Sequence, residues 1–188
     1  MKKRYITAIG GSAGALDPLK IFFDHTPNDQ VTYVVVRHLS PTYKSVLKKI
    51  LDKHSRLEII EVEDGMLLEN NKVYLPPSDK YMVLEQGVFH LLERQEGPNR
   101  AIDTFMKSVA WNIGDRSIAV ILSGAGSDGV KGAEFVKNAG GLVIAQLPES
   151  CEHASMPAHA IKSGNVDYVV LPSQMPRIIL DHVQSHRD

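Results

Sequence analysis

Short apolar runs alternate with segments of helical period along most of the chain. Residues 5–10 (YITAIG) form an apolar run, and behind it Leu16, Leu19, Lys20 and Phe23 recur at helical spacing. Residues 31–36 (VTYVVV) predict a second strand, a helix follows near 43–53, and 57–62 (LEIIEV) predict a third strand. Residues 72–92 change character. KVYLPP, YMVLEQG and VFHLL are short alternating runs with turn signals at Pro76-Pro77 and Gln86-Gly87, the pattern of an antiparallel hairpin insertion. Beyond them the pattern predicts a helix near 100–113, a strand at 117–122, a helix at 128–139 and a strand at 142–147. A short helix near 157–163, a strand at 167–171 and a last helix near 174–185 complete it.

Regular alternation of strand and helix predicts an α/β fold. The expected form is a doubly wound, mostly parallel sheet with helices on both faces and a small antiparallel hairpin insertion. The strands are near-continuous apolar runs, as burial on both faces demands. With no internal repeat, low-complexity tract or linker, residues 1–188 are expected to form a single domain.

Composition narrows the classes of function. Twenty-one Lys+Arg against 22 Asp+Glu give a formal net charge of −1, which argues against nucleic acid as a partner. The only cysteine is Cys151, so no internal disulfide can form and a reducing compartment is natural. The basic start MKKRYITAIGGSAGA resembles a poor signal peptide. Its apolar part is broken by Gly10 and Gly11, and it reads better as a buried strand. No run approaches the length of a membrane span, so a cytoplasmic location without membrane insertion is expected. Cys151 and His153 are too few for a metal site and no HExxH spacing occurs, so neither a metal nor a cofactor is expected.

Ligands of open α/β sheets bind beyond the carboxyl ends of the strands. Three predicted strands end in chemically suggestive residues: the first in Gly10-Gly11-Ser12-Ala13-Gly14, the second in Arg37-His38, the run at 117–122 in SGAGSDG. Ser12 stands in a G-x-S-x-G frame between a strand and a helix, a tight turn that holds the hydroxyl out at its tip. A serine hydroxyl needs an adjacent base, histidine suits that task near neutral pH, and a carboxylate such as Asp128 orients the imidazole. The amides of Ala13 and of the SGAGS loop suit an oxyanion hole. Each residue also has a plain structural role open to it. Ser12 and Asp128 suit helix N-caps, and His38 suits a loop histidine bonded to backbone. The stretch GPNRAIDTF (97–105) reads as a turn opening a helix. Gly124, Gly126 and Gly129 also spell G-x-G-x-x-G, with Glu149 twenty residues on, which keeps open a nucleotide- or dinucleotide-binding module built on the GAGSDG loop. That fingerprint belongs at the first strand of its unit, whereas here it comes late.

Six blocks in order resemble the catalytic domain of the CheB-type protein-glutamate methylesterases: IGGSAGALDPL, VVVRHLSP, VEDGMLLENNKVYLPPSDKYM, AIDTFMKSVA, AVILSGAGSDGVKGAEFVKNAGGLVIAQ and SMPAHAIKSGNVDYVVLP. The resemblance implies Ser12 as nucleophile, His38 as general base and acid, and Asp128 as its partner. Ala13 and Ala125 would give the oxyanion amides, and Arg37 and Gly126 would contact substrate. It implies hydrolysis of glutamate methyl esters on chemoreceptor-type proteins, releasing methanol, and deamidation of receptor glutamine by the same site. A degenerate, non-catalytic receptor-binding scaffold is the further alternative. Three positions depart from the family pattern: Ala15 where a second glycine is usual, Arg37 where glutamine is common, and Ala125 in place of a methionine. Many family members carry a receiver domain before this region. Here the chain opens at its first catalytic strand, so the expectation is constitutive activity or control by a separate receiver-domain protein.

Overall fold

The computed structural model describes residues 4–37, 44–77, 79–94 and 96–186. Its strands in chain order are β1 (Ile6–Gly11), β2 (Thr32–Arg37), β3 (Glu58–Glu61), β4 (Lys72–Leu75), β5 (Lys80–Glu85), β6 (Val88–Glu93), β7 (Ser117–Ile121), β8 (Leu142–Gln146) and β9 (Tyr168–Val170). The helices are α1 (Leu16–Asp24), α2 (Lys44–Leu51), α3 (Ala101–Ile113), α4 (Val130–Asn138), α5 (Ser155–Lys162) and α6 (Met175–Ser185). Seven strands form one sheet in the order β3-β4-β2-β1-β7-β8-β9, and every pairing in it is parallel. Strands β5 and β6 form a separate antiparallel ribbon.

Alternation within the central strands divides the core in two. Ile9, Tyr33, Val35, Ile118 and Val120 face one side, where Leu19, Phe22 and Phe23 of α1, Leu47 and Leu51 of α2, and Ile179 and Val183 of α6 cover them. Ala8, Val34, Val36, Ala119 and Ile121 face the other, under α3, α4, α5 and the ribbon. Each fully buried aliphatic or aromatic side chain stabilises the fold by roughly 1.5–3 kcal/mol, and the small Ala8 and Ala119 let α3 approach the sheet.

The sequence pattern and the structure part company at β4. Residues 72–75 were expected in the antiparallel insertion, but β4 lies parallel between β2 and β3 in the main sheet. Val73 and Leu75 enter one core layer and Tyr74 the other, so three of its four residues are buried between the two layers. A run that short gives the same alternation either way. Helix α4 begins at Val130, not 128, because Gly129 takes φ +99°, outside the helical range. Helix α5 begins at Ser155, two residues before the predicted start, with Pro157 in its first turn where no N–H is needed.

The chain winds outward from β1 through β2 and later returns to β7 on β1's other side. The strand order therefore reverses between β1 and β7, and the crevice at their carboxyl ends is where this topology places a ligand. Among the described residues no helix is long and apolar enough to cross a membrane.

Candidate active site

Ser12 is the first residue beyond β1, its backbone held in the crevice by two main-chain bonds and one side-chain bond. Its N–H donates to the Ser123 carbonyl at 3.0 Å, and its carbonyl accepts from the Ala15 N–H and from Arg37 Nη2, both at 3.2 Å. The turn needs small residues. Gly14 has φ +73°, and a Cβ there would lie 2.7 Å from Glu152 Cβ and 2.8 Å from Ser123 Oγ. Ala15, the departure from a double glycine, has φ −85°, which any L-residue adopts, and its methyl is fully buried. Helix α1 starts at Leu16 with Ala15 as N-cap and no side-chain cap bond. The N-cap role for Ser12 is therefore excluded.

Arg37 ends β2 opposite Gly11. Burial pulls its guanidinium below its ordinary pKa, and its Nε is buried without a hydrogen-bond partner among the described residues. The next residue, His38, lies outside the described residues.

The loop that carries Asp128 follows β7 and packs directly on the serine turn. A Cβ added at Gly124 would stand 2.7 Å from Met156 Cε and 3.2 Å from Ser12 Cβ, so a side chain here would crowd both Met156 and the serine turn. Ser123 joins the segments: its Oγ donates to the Ala13 carbonyl at 2.9 Å and accepts the His153 N–H at 3.0 Å, and its N–H donates to Gln146 Oε1 at 2.9 Å. Ala13 and Ala125 are both exposed on this rim. Gly126, with φ +85°, donates its N–H to Ser155 Oγ at 3.0 Å, and His159 Nδ1 donates to its carbonyl at 3.0 Å.

Asp128 is 7 % exposed at the base of this loop. It does cap a helix, though not the one that follows it: Oδ2 accepts the Ile102 N–H at 3.0 Å and Oδ1 the Asp103 N–H at 2.9 Å, both in the first turn of α3. Asp103 in turn accepts the Gly129 and Gly132 N–H groups at the start of α4, each at 2.8 Å. These bonds weigh against a dinucleotide site. The amides a pyrophosphate would need are occupied by a carboxylate, a second carboxylate lies beside it, and the Gly126 amide is held by Ser155.

Sequence patterning did not single out Ser123, Gln146, Ser155, His159 or Asp103. Only Gln146, a polar end to the apolar run 142–147, left a local signal. The others act across 23 to 31 residues or more, through contacts that periodicity does not record. Among the described residues no group of three or more His, Cys, Asp or Glu side chains is arranged to hold a metal.

Comparison with known proteins agrees with the geometry. A family model described as CheB methylesterase matches residues 7–179. The chain is 31 % identical over 186 residues to the protein-glutamate methylesterase/protein-glutamine glutaminase of Bdellovibrio bacteriovorus, covering 96 % of this chain and 52 % of that protein. It is 35 % identical over 185 residues to the protein of the same name from Thermotoga maritima, covering 95 % and 54 %. The chain thus spans about half the length of these relatives. Among solved structures, the Thermotoga maritima CheB methylesterase catalytic domain superposes with a TM-score of 0.89 at 34 % identity, over 95 % of this chain and 98 % of that one.

Proposed function

This chain belongs to the CheB methylesterase family, and from that premise we propose that it is a serine esterase that hydrolyses glutamate methyl esters on chemoreceptor-type proteins. Ser12 Oγ attacks the ester carbonyl carbon while His38 takes its proton. Asp128 orients the imidazole and stabilises its charged form. The Ala13 and Ala125 amides face the developing oxyanion. Collapse of the tetrahedral intermediate breaks the ester C–O bond, and methanol leaves with the proton from His38. Water, deprotonated by His38, then releases glutamate from the acyl-enzyme. A glutamine side chain enters the same sequence with ammonia as leaving group. Arg37, beside the nucleophile turn, and Gly126, on the acid loop, contact the substrate segment. The setting is the cytoplasm, with activity open to a separate phosphorylated receiver protein.

The observation that supports this most is the placement of Ser12 at the reversal of strand order, with the Asp128 loop packed on its turn. The test is methanol release from a methylated receptor. Ser12→Ala and His38→Ala are each expected to lower the rate by several orders of magnitude. Full activity in Ser12→Ala would end the proposal.

A further inference from the structure

Residues 97–105 read from the sequence as a plain helix start, yet Asp103 in the first turn of α3 is bonded to the loop that carries the acid of the proposed triad. The two carboxylates cap each other's helices. Asp128 accepts the Ile102 and Asp103 amides of α3 at 3.0 and 2.9 Å, and Asp103 Oδ1 accepts the Gly129 and Gly132 amides of α4 at 2.8 Å each. Neither carboxylate can shift without releasing two helix-end N–H groups that have no partner within their own helix. The spacing between the helices is fixed as well. A Cβ at Gly132 would lie 2.6 Å from Met106 Cβ and 3.1 Å from Asp103 Cα, and one at Gly129 would lie 2.9 Å from Ile121 Cδ1. Asp103 is 9 % exposed and Asp128 7 %. Among the described residues the cation paired with Asp103 is Arg100, itself largely exposed, with Nη1 3.7 Å from Oδ2.

We propose that Asp103 is a positioning residue for the proposed esterase reaction: by holding the start of α4 it fixes where Asp128 stands when it serves the histidine. The role rests on the esterase reading above. Burial, and after it the neighbouring Asp128 charge, raise the Asp103 pKa, while its bonds from Gly132 and Gly129 lower it. A neutral Asp103 can donate its proton to Asp128, which an asparagine amide mimics.

The test is the labelling rate of Ser12 by a fluorophosphonate, followed by intact mass at saturating and sub-saturating reagent, well below each variant's Tm. Asp103→Asn keeps an oxygen for the two amides and an N–H for Asp128, and is expected to label within about threefold of wild type. Asp103→Ala removes both, and its maximal rate is expected to fall about 30- to 100-fold, the scale of a misplacement near 1 Å. The half-saturating concentration should not change. A folded Asp103→Ala labelling at the wild-type rate, or Asp103→Asn as slow as Asp103→Ala, would overturn the proposal. Should Asp103→Ala not fold, Asp103→Glu displaces the carboxylate by one methylene and is expected to slow labelling at least about tenfold; a wild-type rate there overturns the proposal equally. A wild-type protein that never labels would defeat the esterase reading itself, and this role with it.

Discussion

Gly132→Ala probes the contact on which the acid side of the site depends. Gly132 is the third residue of α4, and alanine would ordinarily favour a helix by about 1 kcal/mol relative to glycine. Here the added methyl meets the stem of Met106 and the α3 backbone at Asp103, neither of which is the free end of a flexible chain. Overpacking of this kind costs about 1–3 kcal/mol. Pushing the helices apart also strains the 2.8 Å bond from the Gly132 N–H to Asp103, adding on the order of 1 kcal/mol. The net loss is about 1–3 kcal/mol, which at this chain length lowers Tm by roughly 3–10 °C. Differential scanning calorimetry reads it directly. A Tm that is unchanged, or higher as helix propensity alone would make it, would refute the close α3–α4 packing and weaken the linked carboxylate pair.

Other expectations come from further polar groups that the fold buries wholly or in part. The Tyr33 hydroxyl donates to Asp29 Oδ2 at 2.6 Å inside the core, so Tyr33→Phe should cost roughly 1.5–3 kcal/mol, read as a lower urea midpoint with unchanged slope; an unchanged midpoint would contradict it. The Cys151 thiol is pushed up to about 11 by burial and then by Glu149, so its alkylation by iodoacetamide should rise about tenfold per pH unit from pH 8 to 10, and a plateau below pH 9 would contradict this. The raised Asp103 carboxyl favours the folded state below the ordinary carboxylate range, and this contribution is lost as pH rises through the folded pKa. Asp103→Asn should therefore gain stability relative to wild type as pH rises from about 4 toward neutrality in denaturant titrations, and a constant difference would contradict it.

The layered α/β architecture was legible because burial on both faces leaves an unmistakable record. Runs such as VTYVVV and SIAVIL have no polar face, and each is followed by a helical period. The crevice beyond the carboxyl ends of the strands followed from the same pattern, which is why Ser12, His38 and Asp128 were expected together at strand ends. What escaped was short or non-local. Residues 72–75 are too few to distinguish a central parallel strand from a ribbon. Asp128 carries the signature of an N-cap, but the helix it caps starts 27 residues earlier in the chain. Asp103 looks like any acidic residue in a first turn, and only the glycine-lined approach of α4 gives it a second partner.

The claim that matters most is that Ser12 is a nucleophile activated by His38. Intact-protein mass after fluorophosphonate treatment tests it without a receptor substrate, comparing wild type with Ser12→Ala and His38→Ala. A single adduct on wild type, absent from both variants, is the expected result. An adduct that persists in Ser12→Ala, or a wild-type protein that takes up none, would contradict it.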